Sequence, residues 1–318
     1  MFDLIIIGAA AAGCTAAVYA ARRNLNFMII TKDIGGEVAL SGDVDNWPGQ
    51  IHTTGVQLAQ DFHKHALSYQ TNIKNGLTVT GIRAEGNHHI VSTIDANDKA
   101  EDFSAKTIII ASGIHPRTLG IPGEEALRGK GVTYCTVCDG PLYKNKITAT
   151  IGSGNSALES ALMMAGIAKK VFVLSKFSNT PETNGGFPKG ENILIDKLKQ
   201  LSNVEIIYDV STKEITGADF VTGLKYTNNT DATQLQQEIV VNGVMVHVGM
   251  IPNTDFTGTI EKNAIKEIIV SQKCETSVPG IFSAGDVTNI PYKQISIAAG
   301  QGATAALAAI EYINRWSE

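Results

Sequence analysis

Two cysteines, Cys135 and Cys138, stand three positions apart in the sequence YCTVCDG, and Asp139 directly follows the second one. A pair at this spacing can supply half of a zinc site, form a structural disulfide, or exchange electrons through a reversible disulfide. The thiolate is the nucleophile in disulfide exchange, so its pKa and its exposure set its reactivity. A helix that begins beside the pair would stabilise one thiolate, and the Asp139 carboxyl is well placed to protonate a leaving thiolate.

A zinc site would need two further ligands, and the sequence does not supply them. No second CxxC is present, and the seven histidines (52, 63, 65, 88, 89, 115 and 247) do not form a matching HxxxH pair. We therefore predict no metal site. Cys14 and Cys274 are interpreted as small buried side chains, and His247, in VMVHVG, as a strand residue with satisfied polar atoms.

The composition is that of an enzyme-sized globular chain without a charged binding surface. The 318 residues are 43% hydrophobic, enough to bury a core, and the length suggests two domains. The net charge is −5, with basic and acidic residues interspersed, so we expect no nucleic-acid partner. Four cysteines in a chain of this length do not make a secreted disulfide framework.

One apolar run imitates a targeting signal. Leu4–Ala21 is almost wholly apolar, but Asp3 precedes it where a signal peptide would have basic residues, and Gly8 and Gly13 divide it. We interpret the run as a buried strand, turn and helix. The expectation is a soluble, cytoplasmic protein that has no membrane partner.

That run also contains the first of two turns that could hold a nucleotide. In DLIIIGAAAAG a β-branched strand ends at Gly8 and an alanine-rich helix follows. In a dinucleotide fingerprint the first glycine permits a tight turn, and the second lets the backbone approach the pyrophosphate. The third, here Gly13, lets the helix pack closely on the strand. Ala10 takes the place of the middle glycine.

The second turn repeats the plan in ITATIGSGNSALESAL, with Gly152, Gly154 and, at the third position, Ala157. Two copies, each following a strand and opening a helix, are far stronger evidence than one. The strand after each turn ends 23 residues beyond the first glycine, at Thr31 and at Ser175. This equal spacing supports a duplicated architecture, although neither strand ends in the acid that usually holds the ribose hydroxyls.

A third fragment, GIFSAGDVTN, runs a strand into Gly285 and Asp286. This pattern fits the second half of a flavin-binding domain, where the aspartate can bind a sugar-alcohol hydroxyl, and it also fits a helix N-cap. The order of the fragments implies one domain interrupted by another. We predict an α/β fold of two three-layer Rossmann-like domains. Residues 1–114 and 247–318 would form the outer domain, and residues 115–246 the inserted domain that carries the CxxC.

Taken in order, these motifs resemble the low-molecular-weight thioredoxin reductases over essentially the whole chain, most of all the flavoprotein subunit of alkyl hydroperoxide reductase. Besides the two fingerprints, the resemblance is carried by GGEVALSGDVDNWPG, IIIASGIHPR, GKGVTYCTVCDGPLYKNK, VGMIPNT and AGDVTNIPYKQISIAAGQGATAA. It implies that residues 1–114 and 247–318 form an FAD-binding domain and residues 115–246 an NAD(P)-binding-like domain. It also implies a homodimer in which the inner domain swings. The hydroperoxide reductase flavoprotein carries an extra thioredoxin-like segment in front, whereas this chain starts at the flavin strand. We therefore expect its electrons to pass to a separate protein.

The resemblance also implies the site residues. For FAD, the implied contacts come from Gly8, Ala10, Gly13, Asn46, Gly285, Asp286, Gln294 and Ile295. For a nicotinamide nucleotide, they come from Gly152, Gly154, Asn155, Ser156 and Lys176. Cys138 would face the flavin, and Cys135 would attack the disulfide of thioredoxin or a thioredoxin-like protein, with Asp139 as the acid.

The electron donor is the feature that the motifs leave open. NADPH-dependent members follow the second strand with several basic residues, where this chain has Lys176 alone, and NADH-using members have an acid where Ser175 stands. NADH, NADPH and ferredoxin all remain candidate donors. Two other functions also remain, a dithiol oxidase that passes electrons to oxygen and a non-catalytic nucleotide-binding redox sensor.

Overall fold

The computed structural model describes residues 1–317, and the chain falls into two compact units. Unit 1 comprises Met1–Ser41, Asp45–His115 and the chain from Ile251 onward, and unit 2 comprises Gly42–Val44 and Pro116–Met250. The main crossings therefore lie at 115/116 and 250/251, whereas the sequence predicts them at 114/115 and 246/247. The assignment of one cofactor to each unit stays a prediction.

The helices and strands follow the chain in this order. Up to the first main crossing they are β1 (Phe2–Ala9), α1 (Ala11–Ala21), β2 (Phe27–Ile34), α2 (Gly36–Ala39), β3 (Asp43–Val44), β4 (Thr53–Thr54), α3 (Gly55–Leu67), β5 (Asn72–Asn75), β6 (Thr78–Glu85), β7 (His88–Ile94), β8 (Ala100–Ile110) and β9 (Ile114–Pro116). Next come β10 (Val132–Thr133), α4 (Thr136–Asp139), β11 (Ile147–Ile151), α5 (Asn155–Ala165), β12 (Lys170–Leu174), α6 (Asn192–Lys199), β13 (Val204–Ile207), β14 (Val210–Gly217), β15 (Val221–Asn228), β16 (Gln236–Val240) and β17 (Gly243–Val246). The last are β18 (Met250–Pro252), β19 (Ile281–Ser283) and α7 (Ile295–Ile313).

The sheet of unit 1 has the strand order β5-β2-β1-β8-β7-β6, and β19 pairs with the second half of β8. Strands β5, β2, β1, β8 and β19 are parallel, while β6 and β7 pair antiparallel. Residues 4–7 of the central strand β1 are consecutive buried apolar residues because both faces of the sheet are covered. The neighbours β1 and β8 end side by side, which is where open α/β sheets bind their ligands.

Small residues bring the helices of unit 1 close to the sheet and to each other. A Cβ at Gly13 in α1 would lie 1.9 Å from the carbonyl oxygen of Gly8, and a Cβ at Gly302 in α7 would lie 2.1 Å from that of Ala12. Only glycine allows such approaches. No helix within residues 1–317 combines the length and the apolar character that a membrane span requires.

Unit 2 is built around a fully parallel sheet of order β10-β17-β11-β12-β13, to which a three-stranded antiparallel sheet, β14-β15-β16, is added. Ile151, at the end of β11, lies opposite Leu174 of β12 and Val246 of β17, so these three strands end at one edge. The segments that connect the units, β9 and β18, pair with each other. Both units are α/β with a Rossmann-like parallel sheet, which confirms the predicted fold class.

Candidate redox and nucleotide sites

The short helix α4 presents the cysteine pair. Strand β10 leads to Cys135, which caps α4, and Cys135 and Cys138 form a disulfide with their Cα atoms 5.3 Å apart. The backbone N–H of Cys138 donates to Cys135 Sγ at 3.3 Å. Both cysteines are half-buried, and Val137 between them is 57% exposed, so a partner can approach this turn.

The Asp139 carboxyl lies at the end of the same turn. Its Oδ2 accepts a hydrogen bond from the Thr133 hydroxyl, and Oδ1 is buried with no partner in the described part of the chain. Burial raises the pKa of Asp139, and the Thr133 bond offsets part of that rise. A buried carboxyl oxygen without a donor favours the protonated form, which is the form that the predicted acid role requires.

Tyr134 braces the turn on the amino-terminal side of Cys135. Its hydroxyl donates to Glu124 Oε1 at 2.8 Å, and the Arg128 guanidinium lies 5.0 Å from the ring centroid. The buried Glu124 carboxylate is itself held by the backbone N–H groups of Leu119 and Gly120, each at 2.8 Å. Burial and the Glu124 contact raise the pKa of Tyr134, so the tyrosine acts here as a neutral anchor.

Thr136 anchors the opposite side of Cys135. Its hydroxyl lies 2.8 Å from His247 Nε2 and 2.6 Å from Ser160 Oγ. The sequence interpretation of His247 as a satisfied strand residue omits this contact. The available signal was its position, since His247 directly follows the buried strand β17, at the edge of a parallel sheet where functional side chains gather.

The first glycine turn connects β1 to α1. Gly8 has φ +110°, and a Cβ there would lie 2.3 Å from the carbonyl oxygen of Ala111. Helix α1 begins after Ala10 with no capping side chain from within residues 1–317, and its first turn carries only alanine and glycine. Its first N–H groups are therefore available to an anionic group such as a pyrophosphate.

Residues far along the chain meet near this turn. Gly285 has φ +81°, and a Cβ there would lie 3.0 Å from Ala12 Cβ, so the Gly285–Asp286 turn lies against the start of α1. The pKa of Asp286 is raised to about 6, mainly by burial. The charge of Lys293 opposes this rise, and the charge of Glu37 adds to it. A buried carboxyl of this kind suits the hydroxyl donors of a sugar or a sugar alcohol.

Two more of the predicted FAD residues contact each other. Asn46 Nδ2 donates to Gln294 Oε1 at 3.3 Å, and Gln294 directly precedes Ile295, the first residue of α7. Residues 45–51 line a pocket of about 450 Å³. An uncapped helix start, a buried acid and a polar pair within one unit fit a dinucleotide cofactor.

The second glycine turn lies in unit 2 and is the counterpart of the first turn, which lies in unit 1. Gly152 has φ +149°, and a Cβ there would lie 2.3 Å from the carbonyl oxygen of His247. Gly154 forms an isolated parallel bridge with Lys189. Asn155 Oδ1 accepts from the Glu191 N–H and Asn155 Nδ2 donates to Glu191 Oε1, both at 2.8 Å, while Ser156 is exposed.

The loop of residues 178–190 is thus folded back on the second turn. It also encloses Ser175, which is fully buried, donates to the Gly186 carbonyl at 2.5 Å and accepts from the Phe177 N–H. Lys176 is exposed with its Nζ 5.2 Å from the Phe177 ring centroid. The loop brings a second exposed cation, Lys189, to Gly154, and the sequence interpretation overlooked it because it lies 13 positions beyond Lys176.

The other two cysteines are buried apart from this chemistry. Burial raises the pKa of Cys14 to about 12 and that of Cys274 to about 11, so neither is a thiolate near neutral pH. Among residues 1–317 we found no group of three or more His, Cys, Asp or Glu side chains arranged to hold a metal ion.

Comparison with known proteins relates the whole chain to one group of enzymes. Residues 2–302 match the family described as pyridine nucleotide-disulphide oxidoreductase. The chain is 38% identical over 320 residues to an alkyl hydroperoxide reductase component of Pseudomonas putida, a match that covers 99% of this chain and 59% of that protein. It is 37% identical over 315 residues to a protein of Ferdinandcohnia aciditolerans named NADH dehydrogenase, covering 99% and 58% respectively. The chain therefore spans about three fifths of these curated relatives.

The solved structures include a match over full length. The thioredoxin reductase of Streptococcus pyogenes MGAS5005 superposes with a TM-score of 0.90 at 34% sequence identity. That match covers 99% of each chain, so it includes both glycine turns and the segment that holds the cysteine pair.

Proposed function

Because the chain belongs to the pyridine nucleotide-disulphide oxidoreductases, and among them to the low-molecular-weight thioredoxin reductase family, we propose that it reduces the disulfide of thioredoxin or a thioredoxin-like protein. This membership confirms the resemblance that the ordered motifs indicate. The observation that carries the proposal is the Cys135–Cys138 disulfide, held on a turn that is open at Val137 and ends in the buried Asp139 carboxyl. The partner class is supported by the name of the Streptococcus pyogenes structure.

FAD is the cofactor of this family, and when bound and reduced by the electron donor it would supply the electron pair that opens the cysteine disulfide. The start of α1 would hold its pyrophosphate through N–H groups, and the Asp286 carboxyl would accept from its hydroxyls. The residues that we propose for this site are Gly8, Ala10, Gly13, Asn46, Gly285, Asp286, Gln294 and Ile295. The uncapped helix start and the buried acid support this assignment.

The cysteines would then act in sequence. The Cys135 thiolate attacks one sulfur of the partner disulfide, which forms a mixed disulfide and releases the other sulfur as a thiolate. Asp139 gives its proton to that leaving thiolate. The Cys138 thiolate then attacks Cys135 Sγ, which restores the Cys135–Cys138 disulfide and releases the second partner sulfur as a thiolate, which takes a proton from solvent to complete the dithiol. In the first step, the backbone N–H of Cys138, which lies at Cys135 Sγ, would stabilise the Cys135 thiolate that attacks the partner.

For the electron donor we propose a nicotinamide dinucleotide at the second turn, with NADH as the first candidate. The name of the Ferdinandcohnia aciditolerans relative supports NADH. Gly152, Gly154, Asn155 and Ser156 would lie along the pyrophosphate, with Lys176 and Lys189 as nearby cations. The buried Ser175 hydroxyl is already used by the loop, so the ribose would be held without it.

The test uses the flavin-loaded chain under anaerobic conditions. NADH, NADPH and reduced ferredoxin are each mixed with the chain, bleaching of the flavin absorbance is recorded, and thioredoxin reduction is then assayed. We expect bleaching with NADH within seconds. Bleaching with ferredoxin alone would exclude the nicotinamide donors, and rapid peroxide formation from a dithiol in air would instead indicate a dithiol oxidase.

The cysteine roles have their own controls. Cys135→Ser and Cys138→Ser should each abolish thioredoxin reduction while the protein stays yellow. A colourless wild-type protein would favour a non-catalytic redox sensor instead.

We further propose a homodimer in the cytoplasm, where a reversible CxxC pair suits the reducing conditions. Sedimentation analysis tests the dimer.

A further inference from the structure

A buried hydroxyl lies inside the redox turn. Thr136 stands between the two cysteines and is 3% exposed, and Ser160, which contacts it, is 4% exposed. The Thr136 hydroxyl has two polar neighbours, Ser160 Oγ at 2.6 Å and His247 Nε2 at 2.8 Å. Three polar side chains are therefore linked in a row within unit 2, with Thr136, the residue that follows Cys135, at its centre.

The two neighbours of Thr136 come from rigid elements. Ser160 lies in the middle of α5, and His247 directly follows β17. The His247 N–H donates to the Ile151 carbonyl at 2.8 Å, and the His247 carbonyl packs against Gly152. The side chains that contact Thr136 therefore come from a regular helix and from a strand end that is hydrogen-bonded to its neighbour.

The protons of the row can be assigned consistently. Burial lowers the pKa of His247 to about 4, so the ring is neutral at pH 7 and its Nε2 can accept. Thr136 then donates to His247 and accepts from Ser160, so that each hydroxyl proton is used once. Two bonds in fixed directions leave the Thr136 side chain one orientation.

We propose that His247 and Ser160 are positioning residues that act through Thr136 to hold the Cys135–Cys138 turn in the geometry that closes the disulfide. The inference rests on the redox role proposed above for this pair. Tyr134, held by Glu124, restrains the other side of Cys135. With both neighbours of Cys135 anchored, the reduced turn keeps its two sulfurs close together.

The anchoring has a consequence for the equilibrium of the pair. A dithiol whose sulfurs are already near each other loses little freedom when the disulfide forms, so its effective concentration for ring closure is high. Releasing Thr136 lets the reduced turn sample open geometries and disfavours the disulfide. The pair should then become easier to reduce.

The experiment measures the reduction potential of the cysteine pair in the full chain. The protein is equilibrated anaerobically with mixtures of reduced and oxidised dithiothreitol, in which one disulfide opens as the other closes. Free thiols are trapped with an alkylating reagent, and peptides containing Cys135 and Cys138 are quantified. The measurement needs no electron donor and no thioredoxin, so a failure of the proposed function would not affect it.

For His247→Ala and for Thr136→Val we expect the equilibrium constant for disulfide formation to fall about three- to tenfold, a rise in potential of about 15–30 mV. The double variant should show no larger shift than Thr136→Val alone, because Thr136→Val already removes the contact that His247→Ala removes. His247→Gln, which can still bond to Thr136, should recover part of the shift, and Ser160→Ala should show a smaller one. Thermal unfolding verifies that each variant is folded.

The matched control is Thr150→Val, which removes another fully buried hydroxyl of unit 2, one with no partner in the described residues. It should leave the potential unchanged. The proposal is overturned by unchanged potentials in both His247→Ala and Thr136→Val, by additive shifts, by shifts to lower potential, or by an equal shift in Thr150→Val.

Discussion

The turns at Gly8 and Gly152 place a positive-φ glycine against the backbone of a neighbouring segment in the same way. A Cβ at Gly8 would lie 2.3 Å from the Ala111 carbonyl oxygen, and a Cβ at Gly152 would lie 2.3 Å from that of His247. A buried hydroxyl residue lies near the end of the next strand in both units: Thr31, within β2, donates to the Asp33 carbonyl, and Ser175, directly after β12, donates to the Gly186 carbonyl, both at 2.5 Å. The backbone path through the two turns is therefore alike.

The surroundings of the turns then differ. At the first turn, segments from distant parts of the chain meet, with Gly285 packed on Ala12. At the second turn, the following loop covers the start of α5, with Lys189 bridged to Gly154 and Glu191 bonded to Asn155. The comparison teaches that a glycine turn sets only the backbone path, while the segments packed around it decide which ligand can bind.

The largest expected effect comes from the third position of the first turn. Gly13→Ala puts a Cβ 1.9 Å from the Gly8 oxygen, so we expect a loss of about 2–4 kcal/mol in unfolding free energy, together with a loss of bound flavin. Gly154→Ala meets only Lys189 Cβ at 3.8 Å and should cost less than about 1 kcal/mol. Urea unfolding and flavin absorbance measure both, and equal losses would contradict the distinction.

Asp286 marks the first turn with a pH dependence. Its pKa of about 6 in the fold lies above the ordinary value of 3.8, so the flavin-free folded chain binds this proton more tightly than the unfolded chain does. The stability that this bound proton contributes is therefore present at low pH and is lost as the pH rises through about 6. We compare the unfolding free energies of Asp286→Asn and wild type, both without flavin, by urea unfolding. The difference, variant minus wild type, should increase by about 1–2 kcal/mol when the pH is raised from about 4.5 to about 7.5. A pH-independent difference would contradict this assignment.

Asn155 tests the loop at the second turn. Asn155→Ala removes both bonds to Glu191, and we expect the unfolding free energy to fall by about 1–2 kcal/mol. The amides of residues 184–191 should exchange with deuterium faster, whereas the exposed neighbour variant Ser156→Ala should exchange as wild type does. Unchanged exchange in Asn155→Ala would show that the loop is held by its own packing, such as the buried Phe187.

The smallest effect tests the likeness of the two turns. Thr31→Val removes one hydroxyl bond, to the Asp33 carbonyl within β2, whereas Ser175→Ala removes two, one to the Gly186 carbonyl and one from the Phe177 N–H. We expect a loss of about 0.5–1.5 kcal/mol in unfolding free energy for Thr31→Val and a larger loss for Ser175→Ala. Equal losses in urea unfolding would contradict this difference.

The parts that could be predicted from sequence are those that depend on neighbouring residues. Gly8 and Gly152 each end an apolar strand, and the positive φ that each needs is available to glycine at little cost. Cys135 and Cys138 lie within one turn of chain, so their pairing needs no knowledge of the fold. The predicted ends of the next strands, Thr31 and Ser175, were less accurate, because β2 continues to Ile34 and β12 ends at Leu174.

The rest depends on contacts between distant residues. His247 meets Thr136 across 111 positions, and Asn46 meets Gln294 across 248. The fold-back of residues 178–190 depends on Phe187, Ser175 and Asn155 acting together. Glycine and proline in that loop predict only that the chain turns, not what it covers.

Burial of Cys14 and Cys274 gives the molecule a chemical selectivity that needs no engineering. With their pKa values raised to about 12 and 11, these two thiols should not compete for electrophiles at neutral pH. After mild reduction a maleimide dye or a gold electrode should therefore attach at the CxxC turn alone. Because an alkylated thiol can no longer form the disulfide, the amount of dye bound would report the fraction of the pair that was reduced when the reagent was added.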